Sequence, residues 1–218
     1  MKKLKLFIFL LFTCVVTASA QQLTQKEKVV FDEIAYHRRK VGEYEKIHKW
    51  VVPIRYKIIG DSSKYIINEI DSTFSQLRKL TKLDIQKSND EDEINFVIVL
   101  STNPEVLSML SNDFSKFVNG YGGYFYRANQ KSEIYKIESL YALSKYKSKA
   151  DARYAVRRGI IRNLGFFKGT ANAPSSVFYK ESNQKLKFDA FDSNIITAFY
   201  NEKIKPGMTK DEVDPLFQ

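Results

Sequence analysis

The sequence predicts a single α+β domain: one mixed β-sheet, an edge hairpin, and long helices packed against the sheet. Three stretches carry this expectation. Residues 64–80 repeat Ile66, Ile70, Phe74 and Leu77 at helical period. INFVIVL, residues 94–100, is an apolar run of strand length interrupted only by Asn95, which suits a central strand covered on both faces. GGYFYRANQKSEIYKIES, residues 122–139, reads as two strands about a polar turn.

The remaining elements follow in chain order. Thr24-Gln25-Lys26-Glu27 is a capping box ahead of VVFDEIAYHRRK, an amphipathic lead-in helix. WVVPIRYKIIG, residues 50–60, reads as a strand whose Ile54, Tyr56 and Ile58 share one face, with Pro53 placing its start at an edge. KLDIQK reads as a short strand. Asn103-Pro104 caps a helix over EVLSMLSNDFSKF. Ser148 and Asp151 open another helix, ARYAVRRGIIRNLGFF, and a last helix lies near 190–202, before a Pro206-Gly207 stop and a short charged tail. The domain organisation expected is a signal peptide over 1–20, a helical lead-in over 21–49, and the domain proper over 50–218.

The first twenty residues carry Lys2, Lys3 and Lys5, then the apolar LFIFLLFTCVV, then Ala18-Ser19-Ala20. That is the layout of a secretory signal cleaved after Ala20, too short and wrongly flanked for a stable span. Lipid anchoring at Cys14 is the weaker reading, because Thr13 suits a lipidated cysteine poorly and the cleavage site lies downstream. Cleavage removes Cys14, the only cysteine. The exported chain then has no thiolate for catalysis or zinc, as suits a bacterial envelope protein that relies on its core alone. The formal charge of +10 falls to about +7 without those three lysines. This excess favours anionic surroundings, but the basic residues are dispersed. An exported protein has little occasion to meet nucleic acid, and no later segment is long and apolar enough to cross a bilayer.

RRGIIRNLGFFK, residues 157–168, has the outline of the zinc-peptidase helix HExxHxxGxxH. The glycine is present at Gly165. Arg158 and Arg162 stand at the two histidine positions, Gly159 at the glutamate position, and Lys168 at the third-ligand position. At 100° per residue Val156, Ile160, Leu164 and Phe167 form the core face, while Arg158 and Arg162 lie about 40° apart on another. A guanidinium stays protonated and offers only donors, so it cannot ligate a cation. Gly159 has no group to activate water. Metal-dependent hydrolysis is therefore excluded at this helix, and no metal ligand, catalytic residue or cofactor is assigned.

Beyond the helix, residues 164–209 resemble a bacterial family of unknown function. The likeness rests on Leu164-Gly165-Phe166, Ser176-Val177-Phe178, the FDAFD turn with Asp192, Ile195-Ile196 with Phe199-Tyr200, and Ile204-x-Pro206-Gly207-Met208. It extends more loosely back to Trp50. The resemblance implies a secreted or lipoprotein-like chain with a zincin-like architecture, that is, a degenerate metallopeptidase frame. In the family the cleft-facing helix positions are usually acidic or amide, and Arg158, Gly159 and Arg162 depart from that.

Tyr121, Tyr124 and Tyr126 fall on the predicted upper edge strand, an aromatic rim above the Arg158–Arg162 floor. That pairing suits an anionic peptide or polysaccharide of the cell envelope. The expected function is thus a catalytically inactive, zincin-like protein with a binding or structural role in the envelope. The competing class is an enzyme: a hydrolase using Asp189 and Asp192, or an unrecognised metal site recruiting His37 and His48. For the aspartates the structural expectation is that one caps the following helix while the other pairs with a cation of the arginine helix. Ser175-Ser176 lacks both a nucleophile elbow and a nearby histidine.

Overall fold

Helix α1 (Gln25–Ile34) begins at the expected capping box: the Thr24 hydroxyl accepts from the Glu27 N–H at 3.3 Å, and the Glu27 carboxylate takes the Thr24 N–H at 2.7 Å. The computed structural model describes residues 22–38, 40–61, 63–101, 114 and 122–217. The signal peptide, the helix expected after Asn103 and Tyr121 lie outside the described residues. α1 stops earlier than expected because its apolar stripe ends with Val30, Phe31 and Ile34, all fully buried. The chain instead extends into β1 (Tyr36–His37), which pairs with β2 (Lys46–Ile47) in a small antiparallel sheet.

The single strand expected over 50–60 is two. β3 (Lys49–Trp50) and β4 (Ile54–Gly60) are separated at Pro53, which has no N–H to continue a ladder. The main sheet also holds β5 (Ile85–Lys87), β6 (Phe96–Leu100), β7 (Gly122–Ala128) and β8 (Glu133–Tyr141). Its order is β7-β8-β6-β4-β5, with β3 beside the first residues of β8. All pairs are parallel except β7 with β8. β6 is covered on both faces as its sequence required: Phe96, Ile98 and Leu100 enter the main core, and Val99 packs with Leu140 and Phe114 on the other side.

Two helices lie against this sheet and against each other. α2 (Lys64–Thr81) turns Ile66, Ile70, Phe74 and Leu77 inward with no exposure, each burial worth roughly 1.5–3 kcal/mol. α3 (Lys149–Asn163) starts at Ser148, whose hydroxyl accepts from the Asp151 N–H at 3.1 Å. It ends before Leu164 because Gly165 turns at φ +114°, a conformation L side chains rarely adopt. A Cβ there would also lie 2.1 Å from the His48 carbonyl. Trp50 Nε1 and the Tyr200 hydroxyl donate to the carbonyls of Asn163 and Leu164 at 2.9 and 2.7 Å, closing the end of the helix.

A buried ion pair fixes α3 on α2. Arg157, with no exposure, donates Nε to Glu69 at 2.7 Å, and the other Glu69 oxygen takes Arg153 at 2.9 Å. α4 (Ala190–Phe199) packs on α1 and α2. The tail is not merely charged: a capping box at Thr209 and Glu212 opens the short α5 (Lys210–Val213), and Val213 is fully buried. The end of α4 is closed by Lys49, whose buried ammonium donates to the carbonyls of Phe199, Asn201 and Ile204 at 3.2, 3.3 and 2.5 Å.

Two expectations follow for stability. Glu69→Ala leaves Arg157 buried and uncompensated and costs about 3–5 kcal/mol in urea unfolding, whereas Glu91→Ala on the surface costs well under about 1 kcal/mol. Burial, reinforced by Lys205, pulls Lys49 down to about 8 from 10.5. Between those values the unfolded chain holds a proton the folded chain has released, so stability rises with pH across that window. Wild type should therefore gain about 3 kcal/mol relative to Lys49→Met between pH 8 and 10.5. A flat difference would show that Lys49 keeps its ordinary affinity for the proton.

Candidate functional site

The outward face of α3 forms the floor of a cleft of about 450 Å³. Ala155, Arg158, Gly159 and Arg162 line it from below; Gly122, Gly123 and Tyr124 of β7 and Tyr141 of β8 line it from above, with Tyr146 at one end. The two arginines are thus on a concave wall, half-buried, and not on a flat solvated face. The site follows from helix geometry. Arg157 is drawn inward by Glu69, so the next residue lies about 100° round from it, on the cleft side, and Arg162 falls one turn further along the same row.

The two guanidinium groups differ in freedom. Arg158 donates Nη2 to the Lys180 carbonyl at 2.7 Å, and the Tyr154 hydroxyl donates to the Glu181 carbonyl at 3.0 Å, so segment 179–181 is latched to the helix. Burial and the neighbouring Arg162 lower the Arg158 pKa, with Tyr154 acting the other way, yet a guanidinium remains charged at any physiological pH. The Arg162 side chain makes no hydrogen bond or ion pair among the described residues. It is the cation left to meet a ligand.

Gly159 is closed by a neighbour rather than left open. A Cβ at this position would lie 2.2 Å from the Tyr141 hydroxyl oxygen and 2.4 Å from Cε1. The phenol ring therefore fills the space a glutamate would need. Burial raises the Tyr141 pKa well above the ordinary phenol value, Ser139 opposing, so it stays neutral. Lys168, at the third-ligand position, donates to Glu45 at 2.7 Å. Tyr124 lines the cleft with the arginines, but Tyr126 does not join them. It stacks on Phe167 at 4.4 Å and faces an adjoining recess with His37, Lys40 and Tyr135.

The residues of the competing enzymatic readings have other work. Asp189 caps α4, accepting the Asp192 N–H at 2.9 Å. Asp192 is fully buried and accepts from the Ser176 hydroxyl at 2.6 Å and the Val177 N–H at 3.2 Å. Its cationic partner is Lys185 at 2.8 Å, not a side chain of the arginine helix as expected, because Arg157 is committed to Glu69. Burial raises the Asp192 pKa, with Lys185 and Ser176 opposing. His37 and His48 do approach, ring centroids 5.9 Å apart, within an aromatic cluster with Tyr126 and Phe167. Burial and Lys168 hold His37 below its ordinary pKa, and His48 is fully buried. Among the described residues no three His, Cys, Asp or Glu side chains are grouped so that they could hold a metal ion.

Tyr141 and Tyr146 were not singled out from the sequence. The available signal was Gly159 itself, a helix-interior glycine that costs about 1 kcal/mol against alanine and so implies a close neighbour. Gly159→Ala should destabilise the fold by about 1–3 kcal/mol through overpacking. In a double-mutant cycle Tyr141→Leu should relieve part of that cost, and strict additivity would show that the two do not press on each other.

No curated protein and no solved structure matches the chain. Residues 25–218 match one family model, well beyond the segment from Trp50 onward whose likeness the sequence displayed. By that match the chain belongs to the family described as Protein of unknown function (DUF2927).

Proposed function

We propose that this is an exported, non-catalytic binding protein of the bacterial cell envelope whose ligand is anionic and seats in the cleft between β7 and α3. The observation that carries this is Arg162: a half-buried cation on a concave aromatic wall, without a partner among the described residues. Two arginines at i and i+4 repel by about 0.2–0.5 kcal/mol, a cost that a bound carboxylate converts into charge-assisted hydrogen bonds.

The frame is read as zincin-like and inactive. Its support is the mixed sheet with an antiparallel edge strand above a helix bearing Arg158, Gly159 and Arg162, and the turn at Gly165. Permanently protonated groups cannot hold a divalent ion, and Tyr141 occupies the room of a catalytic base. Export is supported by the lysine-flanked apolar N-terminus and Ala18-Ser19-Ala20.

The cleft reading is tested with the purified chain lacking residues 1–20 by titration with galacturonate and with neutral galactose. The acid should bind and the neutral sugar should not, and Arg162→Glu should weaken acid binding at least about tenfold, the worth of one charge-assisted contact. Equal binding of both sugars, or no effect of the substitution, would overturn it. Stoichiometric zinc retained through dialysis would overturn the inactive-frame reading, and an exported chain still carrying residues 1–20 would overturn cleavage.

A further inference from the structure

The cleft does not end at Tyr146. A second recess of about 370 Å³ continues from it and shares Tyr146, Ala155 and Arg158 with the first. Lys145, Lys147, Asp151, Tyr154 and Ser182 complete its lining. Lys145 and Lys147 are exposed and make no ion pair among the described residues. One carboxylate opposes them, Asp151. It already accepts from Ser148 at 2.8 Å and Gln184 at 2.9 Å, and those bonds hold its pKa below the ordinary value.

Along the joined cleft, cations share the lining with two part-exposed phenol rings: Arg158 and Arg162 lie in the first recess with Tyr124 and Tyr146, and Lys145 and Lys147 lie in the second, which Tyr146 also lines. Either recess alone is at the lower end of the volume of a small-molecule site, so the pair is too long for one compact anion. Resting on the cleft reading above, we propose that the ligand is a linear acidic oligosaccharide, one carboxylate per sugar, lying lengthwise across both recesses. Successive units then offer carboxylates to the cations, and flat, weakly polar ring faces to Tyr124 and Tyr146. An acidic peptide fits less well. Its carboxylates sit on flexible arms without a flat face, and laying it in the groove buries backbone amides that need partners of their own.

The orientation assigns unequal roles. Arg162 grips the first carboxylate. Arg158, held on the Lys180 carbonyl, stands at the junction where consecutive units meet. Lys145 and Lys147 act only on a chain long enough to reach them.

The test is calorimetric titration of the chain lacking residues 1–20 with galacturonate of one, two and four units, alongside the fully methyl-esterified tetramer. Wild type should gain at least about tenfold in affinity from monomer to tetramer, as linked contacts do, and should not bind the ester. The double substitution Lys145→Glu with Lys147→Glu should remove most of that gain and leave the monomer's affinity unchanged; both residues are exposed, so the melting temperature should hold. Monomer binding that depends on Arg162 without any gain in length would overturn this proposal and leave the cleft reading standing. No binding of any uronate would overturn both. An acidic peptide or a single-stranded oligonucleotide of equal charge binding as tightly as the tetramer would overturn the sugar assignment.

Discussion

The Glu69–Arg157 pair sets where the arginine helix lies and which way it is turned. Both side chains are buried, and the guanidinium rests 4.9 Å from the ring of Phe188, its two terminal nitrogens without hydrogen-bond partners among the described residues. Such a pair contributes little net stability compared with apolar residues of the same size, because desolvation consumes most of the attraction. Its consequence is geometric. With Arg157 locked to α2, α3 cannot rotate, and Arg158 and Arg162 have only the cleft to face. Of adjacent arginines in the sequence, one is thus a core fastener and the other part of the candidate site.

The cleft inherits its character from that fixed rotation. Arg158 and Arg162 both sit in the last two turns of α3, where the helix dipole favours positive charge and offsets part of their mutual repulsion. β7 supplies the opposite wall because it is the antiparallel edge of an otherwise parallel sheet. Its register places Tyr124 opposite Ser139 and Tyr126 opposite Ile137, two residues apart on one face. Phe167, just past the Gly165 turn, stacks against both tyrosines and also packs on His37.

Much of the frame was legible because it depends on local chemistry. The α2 stripe, the β6 run, the β7–β8 hairpin, and the caps at Thr24 and Ser148 each need only neighbours in sequence. The arginine face was legible from 100° arithmetic. What escaped depends on partners far along the chain. Lys49 reads as one surface lysine among many, yet it closes a helix end about 150 residues away. Arg157 and Arg158 are the same residue type, and nothing local says which turns inward; Glu69, 88 residues earlier, decides it. Tyr126 shares a face with Tyr124, but it lines the recess of His37 and Lys40 and not the arginine cleft. The two-residue strands β1 and β2 are too short to leave a period.

On the proposed reading, the exchange of ligating groups for arginines preserves one property of a metal centre and removes another. A divalent cation and two guanidinium groups bring the same formal charge to the cleft floor, so attraction for an anion survives. The Lewis acidity does not: a guanidinium offers no empty orbital to polarise a carbonyl, and it cannot acidify a bound water at neutral pH. Gly159 and the Tyr141 ring remove the base as well. Positive charge held in an aromatic cleft, with neither means of hydrolysis, favours retaining what it captures over turning it over. Because arginines do not titrate in the physiological range, any pH dependence of that capture must come from the ligand's own acid groups.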